Sequence, residues 1–396
     1  MWDLSPFNTE PEAIAGFRPP KEVLIHDCTL RDGEQQPGLV FREDEKVAIA
    51  QRLDELGIQQ IEAGMPAVSE EDRSAIRRIV GLRLNAKISA LCRLVKEDID
   101  MALDCDVWGI VCSAPAGYLQ LKHKLKWSEE QFTRTVLEIT DYVKSHGLYV
   151  ILSPYDTTRA DLRFLTSLVQ TCVREGKIDR VRVVDTVGCA APHAMTYIVR
   201  KIKDAAALPV EVHCHDDFGL ATANTIAGVL GGAEVVSTTI NGVGERSGNT
   251  PTEEVAVSLK LLYGIETGLR YDKLYEVSAF IQRVSKVPLQ SHKAIVGENS
   301  FKQESGLIVG GFLEMPATAQ PFDPKFVGRD WEIVLGKKSG RRSIEYKLER
   351  MGIEATDEQV ELLLQKVKEQ SISKKGALTD EEFGRLVRVM SMRASS

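Results

Sequence analysis

The stretch His213-Cys214-His215-Asp216-Asp217 sets two imidazoles two residues apart. On a strand, successive side chains point to opposite faces, so His213 and His215 aim at one point while Cys214 turns away. The run before them, Leu208-Pro209-Val210-Glu211-Val212, reads as a short strand, and Phe218 onward reads as the start of a helix. Two neutral imidazoles at the end of a strand form part of a metal site and call for a third donor. The plain alternative is a pair of core histidines bonded to backbone carbonyls. It is disfavoured because two buried rings side by side are costly to satisfy.

Such a pair needs elements that aim it. From residue 23 to about 265, short β-branched runs alternate with longer segments whose apolar residues recur at helical spacing, the mark of βα units around a parallel sheet. Strands are predicted at 23–27, 60–64, 87–92, 107–113, 149–153, 180–185, 210–215 and 235–241. They fit an α/β fold of the (β/α)8 TIM-barrel class, whose active sites form at the carboxyl ends of the strands. The stripes Ile49, Leu53, Leu56 and Phe132, Val136, Ile139, Val143 read as core, and a helix from Asp44 stops at Gly57. The expected division is an N-terminal extension at 1–22, the barrel at 23–275, a connector or lid at 276–330 and a C-terminal helical subdomain at 331–396. In the last of these, Val360, Leu363, Leu364 and Val367 share one face, and Thr379 with Glu382 spells a helix cap.

On such a barrel the motifs converge. The segment Asp27 to Gln35 follows the first strand, and strands one and seven lie two places apart around a closed sheet. Asp32 can therefore supply an oxygen opposite the two histidine nitrogens. Two histidines and one carboxylate leave positions open for water or substrate, the arrangement of a catalytic metal. By itself Arg31-Asp32 would be an exposed turn pair. The glycine-rich loop Asn241 to Asn249 suggests close backbone approach to a ligand. After the sixth strand, Thr186 offers a hydroxyl suited to a carboxylate, although an ordinary strand-to-helix cap explains Asp185-Thr186-Val187-Gly188 equally well without the other motifs.

The bulk numbers exclude several classes. Net charge is −7 with both signs interleaved, which argues against a nucleic-acid surface. No apolar run approaches the roughly 18–20 residues of a membrane span, and Met1 to Pro6 lack a secretory leader, so the expected place is the cytoplasm. Seven cysteines without a Cys-x-x-Cys read as reduced thiols, with Cys28, Cys92, Cys112 and Cys214 as small core residues.

Leu30-Arg31-Asp32-Gly33-Glu34-Gln35 with Lys46, and Val210 to Gly219 with its His-x-His, resemble the two signatures of the 2-isopropylmalate, homocitrate and citramalate synthase family, which is related to hydroxymethylglutaryl-CoA lyase. Ile61-Glu62-Ala63-Gly64, Asn241 to Arg246 and Leu335 to Arg341 support the likeness, which runs from about residue 22 to the C-terminus. The resemblance implies a barrel that condenses an acyl-CoA, acetyl-CoA first among them, with a 2-oxo acid and then hydrolyses the thioester. It implies Asp32, His213 and His215 as ligands of a divalent metal (Mn, Mg, Zn, Co or Fe), with Asn249 joining or backing them. Arg31 would face the developing alkoxide and Thr186 the oxo-acid carboxylate. Gln35 and Glu245 fall in the same matched motifs, as substrate-side and catalytic positions respectively, and Asp216 and Asp217 could orient the imidazoles. A homodimer is implied as well.

The likeness breaks at three positions. The family's base is the histidine of a Ser-Gly-x-His run, where this chain has Ser305-Gly306-Leu307-Ile308. At two substrate-binding positions, a glutamate expected after Ser153-Pro154 is Tyr155, and a histidine expected before Leu121-Lys122 is Gln120. Candidates to replace the base are His123, Tyr155, His292 and Glu304, with His123 set in a lysine-rich run that reads first as a solvated turn. The expected activity is thus metal-dependent condensation. Carbon–carbon cleavage on the same scaffold is the alternative, though Gly242 to Arg246 lacks the cysteine of hydroxymethylglutaryl-CoA lyases. A metal-retaining barrel kept as a binding protein is a third possibility, weakened by the retention of Arg31.

Overall fold

Eight parallel strands form and close: β1 (Leu24–Asp27), β2 (Gln60–Glu62), β3 (Lys87–Arg93), β4 (Gly109–Pro115), β5 (Tyr149–Tyr155), β6 (Arg180–Asp185), β7 (Val210–Cys214) and β8 (Val235–Thr238). Each pairs with the next in sequence, and β8 returns to β1 from Leu24 opposite Val235 to Asp27 opposite Thr238. This is the expected TIM barrel. The computed structural model describes residues 4–394, in two compact units, Pro6–Leu289 and Gln290 onward.

The strand ends differ from expectation where the backbone turns for local reasons. Strands β4 and β5 run on together, Ala114 beside Pro154 and Pro115 beside Tyr155. Strand β8 stops at Thr238 because Asn241, at φ 64, starts a tight turn over Ile240–Gly242. The helix Glu43–Leu56 begins with three acids that suit its positive end and closes at Gly57, whose φ of 92 few other residues adopt. Its Ile49, Leu53 and Leu56 are fully buried.

Below the strand ends, the barrel interior is ionic. Inward positions of alternate residues carry His26, Glu62, Arg180, Arg182 and Glu211, all at most 2% exposed. Arg182 Nη2 donates to Glu62 Oε2 at 2.8 Å and lies 2.7 Å from Glu211 Oε1. Arg180 donates to Gln60 and Glu211, and His26 Nε2 pairs with Ser89 Oγ at 2.8 Å. A buried charge survives only when paired, so these residues must order together.

The C-terminal unit has its own core of Leu335, Ile344, Leu348, Val360, Leu363, Leu364, Val367, Leu378 and Phe383. The Val360 to Val367 stripe packs there. Thr379 and Glu382 cap the helix Asp380–Ala394 reciprocally, as their spacing predicts. The stretch expected as a connector holds a short strand, Lys302–Gln303, and a helix, Gly306–Glu314. Among the described residues no disulfide is formed, six of the seven cysteines are buried, and no helix is long and apolar enough to cross a membrane.

Candidate metal centre and active site

His213 and His215 stand at the end of β7, and Asp32 stands in the turn after β1. Asp32 Oδ2 lies 3.0 Å from His213 Nε2 and 3.6 Å from His215 Nε2, and the two nitrogens are 3.3 Å apart. With bonds near 2.1 Å, the edges of a tetrahedral or octahedral metal site measure about 3.0–3.4 Å, so these atoms already have ligand spacing. Among the described residues, Asp32 Oδ1, His215 Nδ1 and Asn249 Oδ1 are buried polar atoms with no hydrogen-bond partner. Buried donors and acceptors are rarely left so, and a cation bound by Asp32 would satisfy its free oxygen.

Protonation states agree with that role. Burial is the largest influence on His215 and lowers its pKa to about 4, keeping the imidazole neutral and its lone pair free. For Asp32, burial opposes the charge, but Arg31 and the His213 hydrogen bond outweigh it and hold the carboxyl well below its usual range. Cys28 Sγ lies within 4.8 Å of the Asp32 and His213 donor atoms. Burial pushes its thiol far above the usual range, and it donates to Thr238 O.

The supports are specific. His213 Nδ1 meets Ser237 Oγ on β8 at 2.9 Å, which fixes the ring with Nε2 toward the cluster. Nothing local in the sequence marks Ser237, because the contact crosses from one strand to its neighbour. Asp217 instead pairs with Arg246, and Asp216 accepts the Ala221 N–H at the start of the next helix. Asn249 forms a bridge with His215 and donates Nδ2–H to Val243 O at 3.2 Å. The glycines of this loop make room for the loop itself. A Cβ on Gly244 would overlap the Asn249 amide, and one on Gly248, at φ 96, would strike Gly242 O.

Arg31 is 9% exposed. Its Nε donates to Glu62, and its Nη1 reaches Gln35 Oε1 at 2.9 Å and Asp32 Oδ2 at 3.0 Å. Burial works against its charge, but Glu62 and Asp32 more than compensate and push the pKa up. Glu62 is itself braced by Arg182, so the ionic interior of the barrel sets the angle of Arg31. Thr186 Oγ1 accepts the Asp156 N–H at 2.6 Å, leaving its own hydrogen to donate. Asp185, beside it, binds the Cys189 and Ala190 amides and thereby fixes the loop.

These residues line one cavity of about 730 Å3 at the carboxyl ends of the strands. Arg31, Asp32, Gln35, Gln120, Tyr155, Thr186, His213, His215 and Glu245 all face it, so the positions singled out across more than 200 residues of sequence come together. Glu245 is half exposed and pairs with Arg246 at 3.3 Å. Among the base candidates, Tyr155 is in this wall, while His123 is exposed on the neighbouring turn. His292 and Glu304 belong to the C-terminal unit, where Glu304 accepts the Lys338 N–H at 3.0 Å. Ile308 lies in the helix Gly306–Glu314, 42% exposed.

The family model described as HMGL-like matches residues 22–281, and one described as homocitrate synthase post-HMGL domain-like matches residues 295–375. The chain belongs to the HMGL-like family. Homocitrate synthase AksA of Methanopyrus kandleri is 46% identical over 95% of this chain and 94% of its own length. (R)-citramalate synthase CimA of Methanocaldococcus jannaschii is 45% identical over 88% of this chain and 70% of its own. Among solved structures, the HMG-CoA lyase of Bacillus subtilis superposes with a TM-score of 0.61 at 18% identity, over 68% of this chain and 96% of that one, a likeness of fold. This HMGL-like chain is an enzyme of the synthase kind, as its close relatives are.

Proposed function

We propose that the barrel condenses an acyl-CoA with a 2-oxo acid and hydrolyses the resulting thioester to a 2-hydroxy di- or tricarboxylic acid. The observation that carries this reading is the convergence of Asp32, His213 and His215 at ligand spacing beside the buried Arg31 guanidinium. A divalent ion (Mn, Mg, Zn, Co or Fe) held there would supply a Lewis acid for the ketone. Asn249, whose buried carbonyl oxygen has no hydrogen-bond partner, would join or back these ligands. Arg31 donates to the ketone oxygen as it becomes an alkoxide, and its fixed geometry spares reorganisation at that moment. Gln35 holds the guanidinium from the substrate side, and the Thr186 hydroxyl donates to the oxo-acid carboxylate. Glu245 faces the same space and is assigned a catalytic position there.

The reading extends to a cytoplasmic homodimer, supported by the family and by reduced, mostly buried cysteines. Thiol release, followed with a chromogenic disulfide, is expected only when acyl-CoA, oxo acid and divalent metal are all present. Silence across a broad panel of acyl-CoAs and oxo acids would overturn it. Breakdown of a 3-hydroxyacyl-CoA without added acceptor would favour cleavage instead.

A further inference from the structure

A metal-bound imidazole gives a lone pair from one ring nitrogen and carries its hydrogen on the other, so the group facing the second nitrogen decides how readily the ligand tautomer forms. For His213 that group is the Ser237 hydroxyl, 2.9 Å from Nδ1. A carboxylate or carbonyl there could only accept. A serine can also donate, and donation to Nδ1 would leave the ring hydrogen on Nε2, which lies 3.0 Å from Asp32 Oδ2. Ser237 therefore favours the metal ligand only when its own hydrogen has another acceptor.

Closure of the barrel supplies one. β8 pairs with β1, His26 opposite Ser237 and Asp27 opposite Thr238, so the residue after β1 lies against β8. That residue is Cys28, with Sγ 3.3 Å from Ser237 Oγ and 3.3 Å from Thr238 O. Among the described residues, the hydrogen-bond neighbours of Ser237 Oγ are His213 and Cys28. Cys28, Ser237 and Thr238 are all 0% exposed, so bulk water does not reach the hydroxyl. Thr238 O can only accept, and it takes the thiol hydrogen, which leaves the sulfur lone pairs for Ser237. One direction then satisfies every member: His213 Nδ1 donates to Ser237, Ser237 to Cys28, and Cys28 to Thr238 O. In that direction Nε2 carries a bare lone pair beside the Asp32 and His215 donor atoms. If Ser237 instead donates to His213, the ring turns an Nε2 hydrogen toward Asp32.

We propose that Cys28 is a positioning residue for the metal centre: its sulfur accepts the Ser237 hydrogen and so holds His213 in the tautomer whose Nε2 binds the ion. This rests on the reading that Asp32, His213 and His215 hold a divalent metal. Calorimetric titration of the enzyme with Mn2+, in the absence of substrates, tests it. Cys28→Ala, and the better-filling Cys28→Val, remove the acceptor and are expected to weaken Mn2+ binding about 10-fold. Cys28→Ser keeps a donor and an acceptor at that place and is expected to stay within about threefold of the parent. On a Ser237→Ala background, Cys28→Ala is expected to change the affinity less than about twofold, because the hydroxyl that the sulfur serves is gone. Equal affinities in the parent, Cys28→Ala and Cys28→Val would overturn this proposal alone, and a parent that binds no Mn2+ would overturn it together with the metal reading. A loss that persists in full on the Ser237→Ala background would also overturn it, by assigning the sulfur to packing or to the metal itself, whose Asp32 and His213 donors lie within 4.8 Å of it.

Discussion

Replacing Glu62 by Gln should uncouple Arg31 from the barrel and leave a signature in pH as well as in rate. Glu62 is fully buried, with Oε1 on Arg31 Nε and Oε2 on Arg182 Nη2 at 2.8 Å. Burial opposes its charge, but Arg182 and Arg31 outweigh that and lower its pKa from 4.5 to about 2. The folded state therefore binds the Glu62 proton less readily than the unfolded chain does. Its contribution is complete above pH 4.5 and lost as pH falls toward 2. The gap corresponds to ~3 kcal/mol at pH 7 and ~2 kcal/mol at pH 3.5. Urea unfolding of Glu62→Gln against the parent should show a loss of ~3 kcal/mol at pH 7 that narrows by ~1 kcal/mol at pH 3.5. Arg31, no longer held, should cost about 100-fold in kcat/KM with metal affinity little changed. A destabilisation independent of pH, or full activity in the variant, would refute the coupling.

Ser237→Ala frees the His213 ring and should weaken Mn2+ binding about 10- to 100-fold by calorimetry, with the thermal midpoint of the metal-free protein nearly unchanged. Asp27 titrates in the opposite sense to Glu62: burial, the largest influence, raises its pKa from 3.8 to about 7 despite two hydrogen bonds from Thr29. The folded state keeps that proton between pH 3.8 and 7, so stability falls as pH rises through the window, by ~4 kcal/mol in all. Asp27→Asn should flatten that slope and gain stability at pH 8 relative to pH 4, read from denaturation midpoints at the two values.

The barrel was legible because each βα unit repeats one pattern, and each of the predicted strands is present. The convergence of Asp32, His213 and His215 was legible because His213 and His215 share a strand face and Asp32 follows β1, two strands away in a closed ring. Ser237 and Arg182 escaped notice for the same physical reason in reverse. Each is an ordinary residue in a strand, and its role comes from the neighbour that barrel closure brings to it. Cys28 reads as a small core residue until barrel closure is seen to bring its sulfur against the Ser237 hydroxyl. The glycines of the 242–248 loop suggested ligand approach, whereas the loop uses them to fold around Asn249.

In the proposed function, Asp32, His213 and His215 hold one divalent ion that chelates a 2-oxo acid. Water-proton relaxation of Mn2+ titrated with the purified enzyme tests it directly. One tight site per chain is expected, abolished in Asp32→Ala and in His213→Ala, with relaxation that drops when a 2-oxo acid displaces metal-bound water. Metal binding that survives both substitutions, or a site whose relaxation ignores every 2-oxo acid, would contradict it.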